Sequence, residues 1–128
     1  MPVEFSYRKT GNNKTELTAA LSGEIDHHSA AEMRILTDGE LARTMPAVLN
    51  FDMSSVTFMD SSGIGLILGR SRTMQAWNGR VRISAPSERV ARILKLSGLG
   101  ALISAGRNNN SGNDPGKSSG ASERGGKQ

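Results

Sequence analysis

Apolar and polar side chains alternate over residues 3–8 and again over 15–21, the pattern of two half-buried strands. Gly11, Asn12, Asn13 and Lys14 between them are turn formers, so the chain should open as a pair of joined strands. From 23 to 44 the spacing becomes helical, with Ala31 and Ile35 and the neighbouring Met33, Leu36 and Leu41 as the apolar stripe and Asp26 or Ser29 as the N-cap. Gly39 weakens this helix without ending it, and Pro46 closes the unit. Residues 47–53 are short, apolar-rich and bounded, as a buried strand is. A turn-like stretch then leads into a second helix whose Ile64, Ile67, Leu68, Ser71, Met74 and Trp77 recur at three and four residues until Asn78 and Gly79. Alternation returns over 80–85; a third helix follows, capped by Ser87, with Val90, Ile93, Leu94 and Leu96 inward and Gly98 as its stop. A last short strand is expected at 101–104. The order β-β-α-β-α-β-α-β predicts an α/β fold, a mixed sheet covered by helices through right-handed crossovers.

Composition narrows this picture. At 128 residues and 36% hydrophobic content there is material for one modest core. Cysteine is absent, which removes disulfides, thiolate metal sites and cysteine nucleophiles. With three Phe, one Trp and one Tyr, stacking platforms for single-stranded nucleic acid have little to be built from. Six of the 15 glycines lie in 106–128, where one alanine is the largest apolar side chain, so this stretch is expected to be a disordered tail behind a domain of residues 1–105. Neither a run of eighteen apolar residues nor the apolar stretch of a signal peptide is present, so a cytoplasmic protein without membrane contact is expected. The formal charge of +4 divides evenly between domain and tail. Arg70, Arg72, Arg80, Arg82, Arg89, Arg92 and Lys95 face only Glu88 in their interval, which reads as solvated faces or a protein-docking field ahead of a nucleic-acid footprint.

Catalytic constellations are sparse. Gly63, Gly65 and Gly69 give GxGxxxG where a dinucleotide fingerprint needs GxGxxG, so close approach of a helix to the sheet is their better reading. His27 and His28 are adjacent and would diverge by about 100° on a helix, with no other histidine to complete a metal site. Asp60, Ser61 and Ser62 have no histidine placed for hydrolase chemistry. Phe58-Met59-Asp60-Ser61-Ser62-Gly63 instead sets a polar step at the start of an apolar helix. Two compatible uses stay open: Asp60 or Ser61 as a helix cap, or Ser61 or Ser62 as a phosphorylated switch, since a helix N-terminus tolerates the added charge of about −1.5 to −2.

The segments SGEIDHHSA, VLNFDMSSVTFMDSSGIGLILGR and APSERVARILKLSGL together resemble the anti-sigma factor antagonist family, whose members are STAS domains, and the DHH triplet resembles its sporulation-type members. The resemblance implies a protein that is no enzyme. Its unphosphorylated form would bind an anti-sigma factor that is also a serine kinase and so free the sigma factor. Phosphorylation at Ser61, with Ser62 as the alternative, would end that association, and a metal-dependent serine phosphatase would reset it. ATP and magnesium would belong to the kinase, leaving this chain without a cofactor or metal. The partner-binding edge implied comprises Asp26, His27, Asp60, Ser61, Ser62, Gly63 and Ile64. No direct nucleic-acid contact is expected, and the protein should be a monomer or weak dimer. A STAS-type scaffold or interaction module without a kinase partner is the alternative. Family members usually carry a last amphipathic helix for which residues beyond 104 offer no apolar stripe.

Overall fold

The computed structural model describes residues 2–104; the expected tail at 106–128, and any terminal helix there, lie outside the described residues. Strands β1 (Val3–Lys9), β2 (Thr15–Ile25), β3 (Val48–Met59) and β4 (Arg80–Ser84) form one mixed sheet in the order β1-β2-β3-β4. The first pair is antiparallel, and β2-β3 and β3-β4 are parallel. Helices α1 (His27–Thr44), α2 (Ser61–Gln75) and α3 (Glu88–Leu96) occupy the three connections that follow β2, β3 and β4. The α/β class and the mixed sheet are as the alternation predicted.

Register separates the sheet into two faces. Leu17, Ala19 and Leu21 of β2, Leu49, Phe51 and Met53 of β3, and Val81 and Ile83 of β4 are buried in one core with Met33 and Leu41 of α1, Leu66, Ile67 and Met74 of α2, and Val90 and Leu94 of α3. The alternate positions carry Arg8, Glu16, Thr18, Asn50, Arg82 and Ser84, a polar face with no helix of this core upon it. Four sequence readings are corrected. The inward stripe of α3 is Val90, Ile93 and Leu94, whereas Leu96 is 82% exposed. The strand expected to end at 53 continues to Met59, because β2 runs on through two register shifts and pairs with it, burying Val56 and Met59. The stripe of α1 is Ala30, Met33, Thr37 and Leu41; Ile35 is 62% exposed. The strand expected at 101–104 is a 3₁₀ turn, Gly100–Leu102, followed by a single parallel bridge of Ile103 to Ile83.

The helix boundaries follow capping chemistry. Asp26 caps α1 in a reciprocal box with Ser29, Asp60 caps α2, and the Ser87 hydroxyl accepts from the Val90 amide at 3.2 Å. Met45 in the left-handed region and then Pro46 end α1, and Gly98 at φ +83 ends α3. No helix among the described residues is long and apolar enough to cross a membrane.

Candidate functional site

The carboxyl ends of β2 and β3 are paired, Ile25 against Met59, and each strand is followed at once by an aspartate that caps a helix. The local sequence is a repeat in effect: Ile25-Asp26-His27 opens α1 and Met59-Asp60-Ser61 opens α2. The Asp60 amide donates to the Ile25 carbonyl at 3.1 Å, tying the two junctions together. Two helix N-termini, each worth about half a positive charge, therefore open beside each other on one edge together with two carboxylates.

Both aspartates are committed to the backbone. Asp26 Oδ1 accepts from the amides of His28 at 3.0 Å and Ser29 at 2.9 Å, while the Ser29 hydroxyl donates to the Glu24 carbonyl at 2.7 Å. These donors, the Ser29 amide foremost, hold the Asp26 carboxyl below its usual range. Asp60 Oδ1 accepts from the Ser62 amide at 2.8 Å. The cap of α2 is thus Asp60, and Ser61, the first helical residue, is exposed with a hydroxyl that bonds nothing among the described residues.

The other residues of the expected edge divide by burial. Ser62 and Ile64 are half-buried, and His27 is exposed at the start of α1. Gly63 is buried: a Cβ there would lie 2.5 Å from Met59 Sδ and 3.3 Å from Ile25 Cγ2. It lets the first turn of α2 sit on the strand ends, so its place is beneath the edge and not on it. Close helix approach thus holds for Gly63, whereas Gly65 and Gly69 have open space where a Cβ would be.

Sequence reasoning did not find what Gly65 and Gly69 do. With Ala30 and Ala31 of α1 they border a groove of 450 Å³ between the two helices, which begins at His27 and Ser62 and ends over Arg70. Arg70 is buried, and its Nε lies 2.8 Å from Asp38 Oδ1 in an ion pair joining α2 to α1, although not aligned for a hydrogen bond. Burial pulls its guanidinium below the ordinary value, and Arg34 on the same groove acts in the same sense while Asp38 opposes both. Small residues four apart on α2 opposite alanines on α1 were the available signal, but it requires knowing which helices face each other. Among the described residues no three His, Asp or Glu side chains gather as a metal site.

The STAS domain family model matches residues 7–111, from β1 through the last bridge. The chain belongs to the STAS domain family. The anti-sigma F factor antagonist of Lysinibacillus sphaericus is 35% identical over 80 residues, 62% of this chain and 68% of that protein. That of Paenibacillus polymyxa is 35% identical over 83 residues, 65% of this STAS chain and 71% of the relative. Among solved structures, the anti-sigma factor antagonist SpoIIAA in its unphosphorylated form aligns with a TM-score of 0.66 at 30% identity, covering 79% of this chain and 86% of that one. The Bacillus cell fate determinant SpoIIAA in its phosphorylated form aligns with a TM-score of 0.59 at 29% identity, covering 79% and 89%.

Proposed function

We propose that this STAS domain is an anti-sigma factor antagonist that binds an anti-sigma factor acting also as a serine kinase, releases the sigma factor, and is switched off by phosphorylation at Ser61. The names of its relatives support the antagonist role. The observation that carries the switch is the state of Ser61: exposed, first in its helix, and without a side-chain bond among the described residues because Asp60 has taken the cap. Ser62, the alternative acceptor, is half-buried with its amide engaged.

The edge formed by Asp26, His27, Asp60, Ser61, Ser62 and Ile64 is the docking surface, with Gly63 setting its height from below. Ile64, and Leu68 one turn on at 38% exposure, supply apolar area beside the serine. A phosphate at Ser61 is tolerated within the protein because it meets the α2 N-terminus. Across an interface the same dianion joins Asp60 and Asp26 in a surface that docking desolvates, so association weakens. The chain acts as a substrate; ATP and magnesium belong to the kinase, and a serine phosphatase regenerates the binding form.

The test is incubation with an anti-sigma factor kinase and ATP, with the phosphate located by mass spectrometry. Label at Ser61 that is lost in Ser61→Ala and kept in Ser62→Ala is the expected result. Stable binding with no transfer would replace this reading by a scaffold or interaction module.

A further inference from the structure

The end of the sheet opposite Ser61 holds a second concentration of charge. Register places Arg8, Glu16, Val48 and Arg80 in one row across all four strands, with Arg82 two residues further along β4 on the same polar face. Glu16 is buried, and its two oxygens are divided between two guanidiniums: Oε1 takes Arg8 Nη2 at 2.8 Å and Oε2 takes Arg82 Nη2 at 2.5 Å. One carboxylate thus holds two arginines apart, each using a single nitrogen. Lys14 and Arg80, exposed beside them, have no ion-pair partner among the described residues. All four cations border a cavity of 470 Å³, with Asn78 at its rim.

Four cations against one saturated carboxylate leave an excess of three positive charges around one hollow. Each guanidinium retains unused donors: Arg8 and Arg82 each give Glu16 one Nη2, and Arg80 has no ion-pair partner among the described residues. We propose that this cavity is a binding site for a small molecule bearing a phosphate group, the phosphate lying between Arg80, Arg82 and Lys14 and accepting from the guanidinium and ammonium donors that no carboxylate holds. A phosphate supplies the oxygens and the charge that the cluster lacks, and planar guanidiniums match it in geometry. The cavity exceeds what bare phosphate fills and falls within the range of small-molecule pockets, about 300–1,000 Å³. β3 spans the distance to the Ser61 edge; at about 3.3 Å per residue that is roughly 35 Å, so the two sites do not overlap.

The experiment uses the full chain with inorganic phosphate, pyrophosphate and a sugar phosphate as probes, read by calorimetry and by amide chemical shifts, against chloride at matched ionic strength. Saturable binding is expected, with shifts centred on 12–16 and 78–82 and pyrophosphate or the ester exceeding inorganic phosphate if the whole cavity is used. Arg80→Ala and Lys14→Ala, both at exposed positions, should each weaken binding by about tenfold. Because neither lies on the serine edge, both should leave Ser61 labelling intact, so loss of one function is separable from loss of the other. Equal responses to chloride and phosphate, unchanged affinity in the two variants, or shifts at the helix N-termini instead would overturn the proposal. So would binding confined to duplex DNA with a steep salt dependence, which would assign the cluster to nucleic acid.

Discussion

At Ser61 the role of a residue is decided by what its neighbour does. Had Ser61 been the cap of α2, its hydroxyl would be turned to the backbone; Asp60 holds that position, and the Ser61 hydroxyl bonds nothing among the described residues. Ser61→Ala should therefore bind an anti-sigma factor as the native chain does and resist phosphorylation. Ser61→Asp, which adds one charge beside Asp60, should bind more weakly by about 2 kcal/mol, the low end for a charge left unpaired in an interface. Equal affinities of the two variants in titration calorimetry would remove the charge account. Gly63 offers a test of the layer below. Its replacement by Ala drives a methyl into Met59 Sδ and against Ile25 Cγ2, and should cost about 1–3 kcal/mol in urea unfolding. Met59→Ala in the same chain should return part of that loss, a non-additivity that a purely conformational effect of glycine would not produce.

At the level of elements, α1 is fastened differently at its two ends. Its N-terminus depends on Asp26, whose carboxyl is held below its ordinary value chiefly by the Ser29 amide. A lowered folded value means stability present in full above the unfolded value and lost as pH falls through the folded one. The stability difference between the native chain and Asp26→Asn should accordingly be constant near neutrality and shrink below about pH 4, where the unfolded carboxylate begins to protonate. Near the C-terminus Tyr7, Glu40 and Arg43 form a cluster that also holds the Glu40 carboxyl down, by the Tyr7 hydroxyl first and Arg43 second. Between the ends, Asp38 ties α1 to buried Arg70. Asp38→Ala should cost more than Arg70→Met, about 1–3 kcal/mol, because it leaves a guanidinium buried without its partner whereas the methionine removes the charge as well. Caps and breakers were legible in the chain: Asp26, Pro46, Ser87 and Gly98 act where turn and helix chemistry puts them. The phase of α1 was not, since Thr37 is buried and Ile35 exposed by the choice of which helix packs where. The length of β3 was hidden for a related reason. Ser54, Ser55 and Thr57 look like a turn until β2 is seen to supply their partner strand. The start of α2 at Asp60-Ser61-Ser62 was legible in the sequence, but the groove between α1 and α2 depends on two distant segments meeting.

For the whole molecule, β2 and β3, the two strands paired on both sides, connect the serine edge to the basic cavity. For the proposed switch at Ser61, that arrangement argues for an action through local charge. A phosphate at Ser61 would meet a helix N-terminus already anchored by Asp60, above strand ends held together by the Ile25–Met59 pair and by Gly63 packing. Amide chemical shifts on phosphorylation should change within 24–30 and 58–65 and leave β4 and α3 where they are. Spread of those changes to Arg80–Ser84 would show that the sheet moves and that release of the partner is conformational. Hydrogen exchange supplies the complementary measurement. The last described contact is one bridge, Ile103 to Ile83, with the Ser104 amide donating to the Ile83 carbonyl at 2.8 Å. A single bond at a sheet edge opens by local fraying, whereas amides of 48–53 exchange only when the core does. Ser104 should exchange far faster than β3 in both phosphorylation states; protection of Ser104 equal to that of β3 would mean that residues beyond it complete the sheet edge.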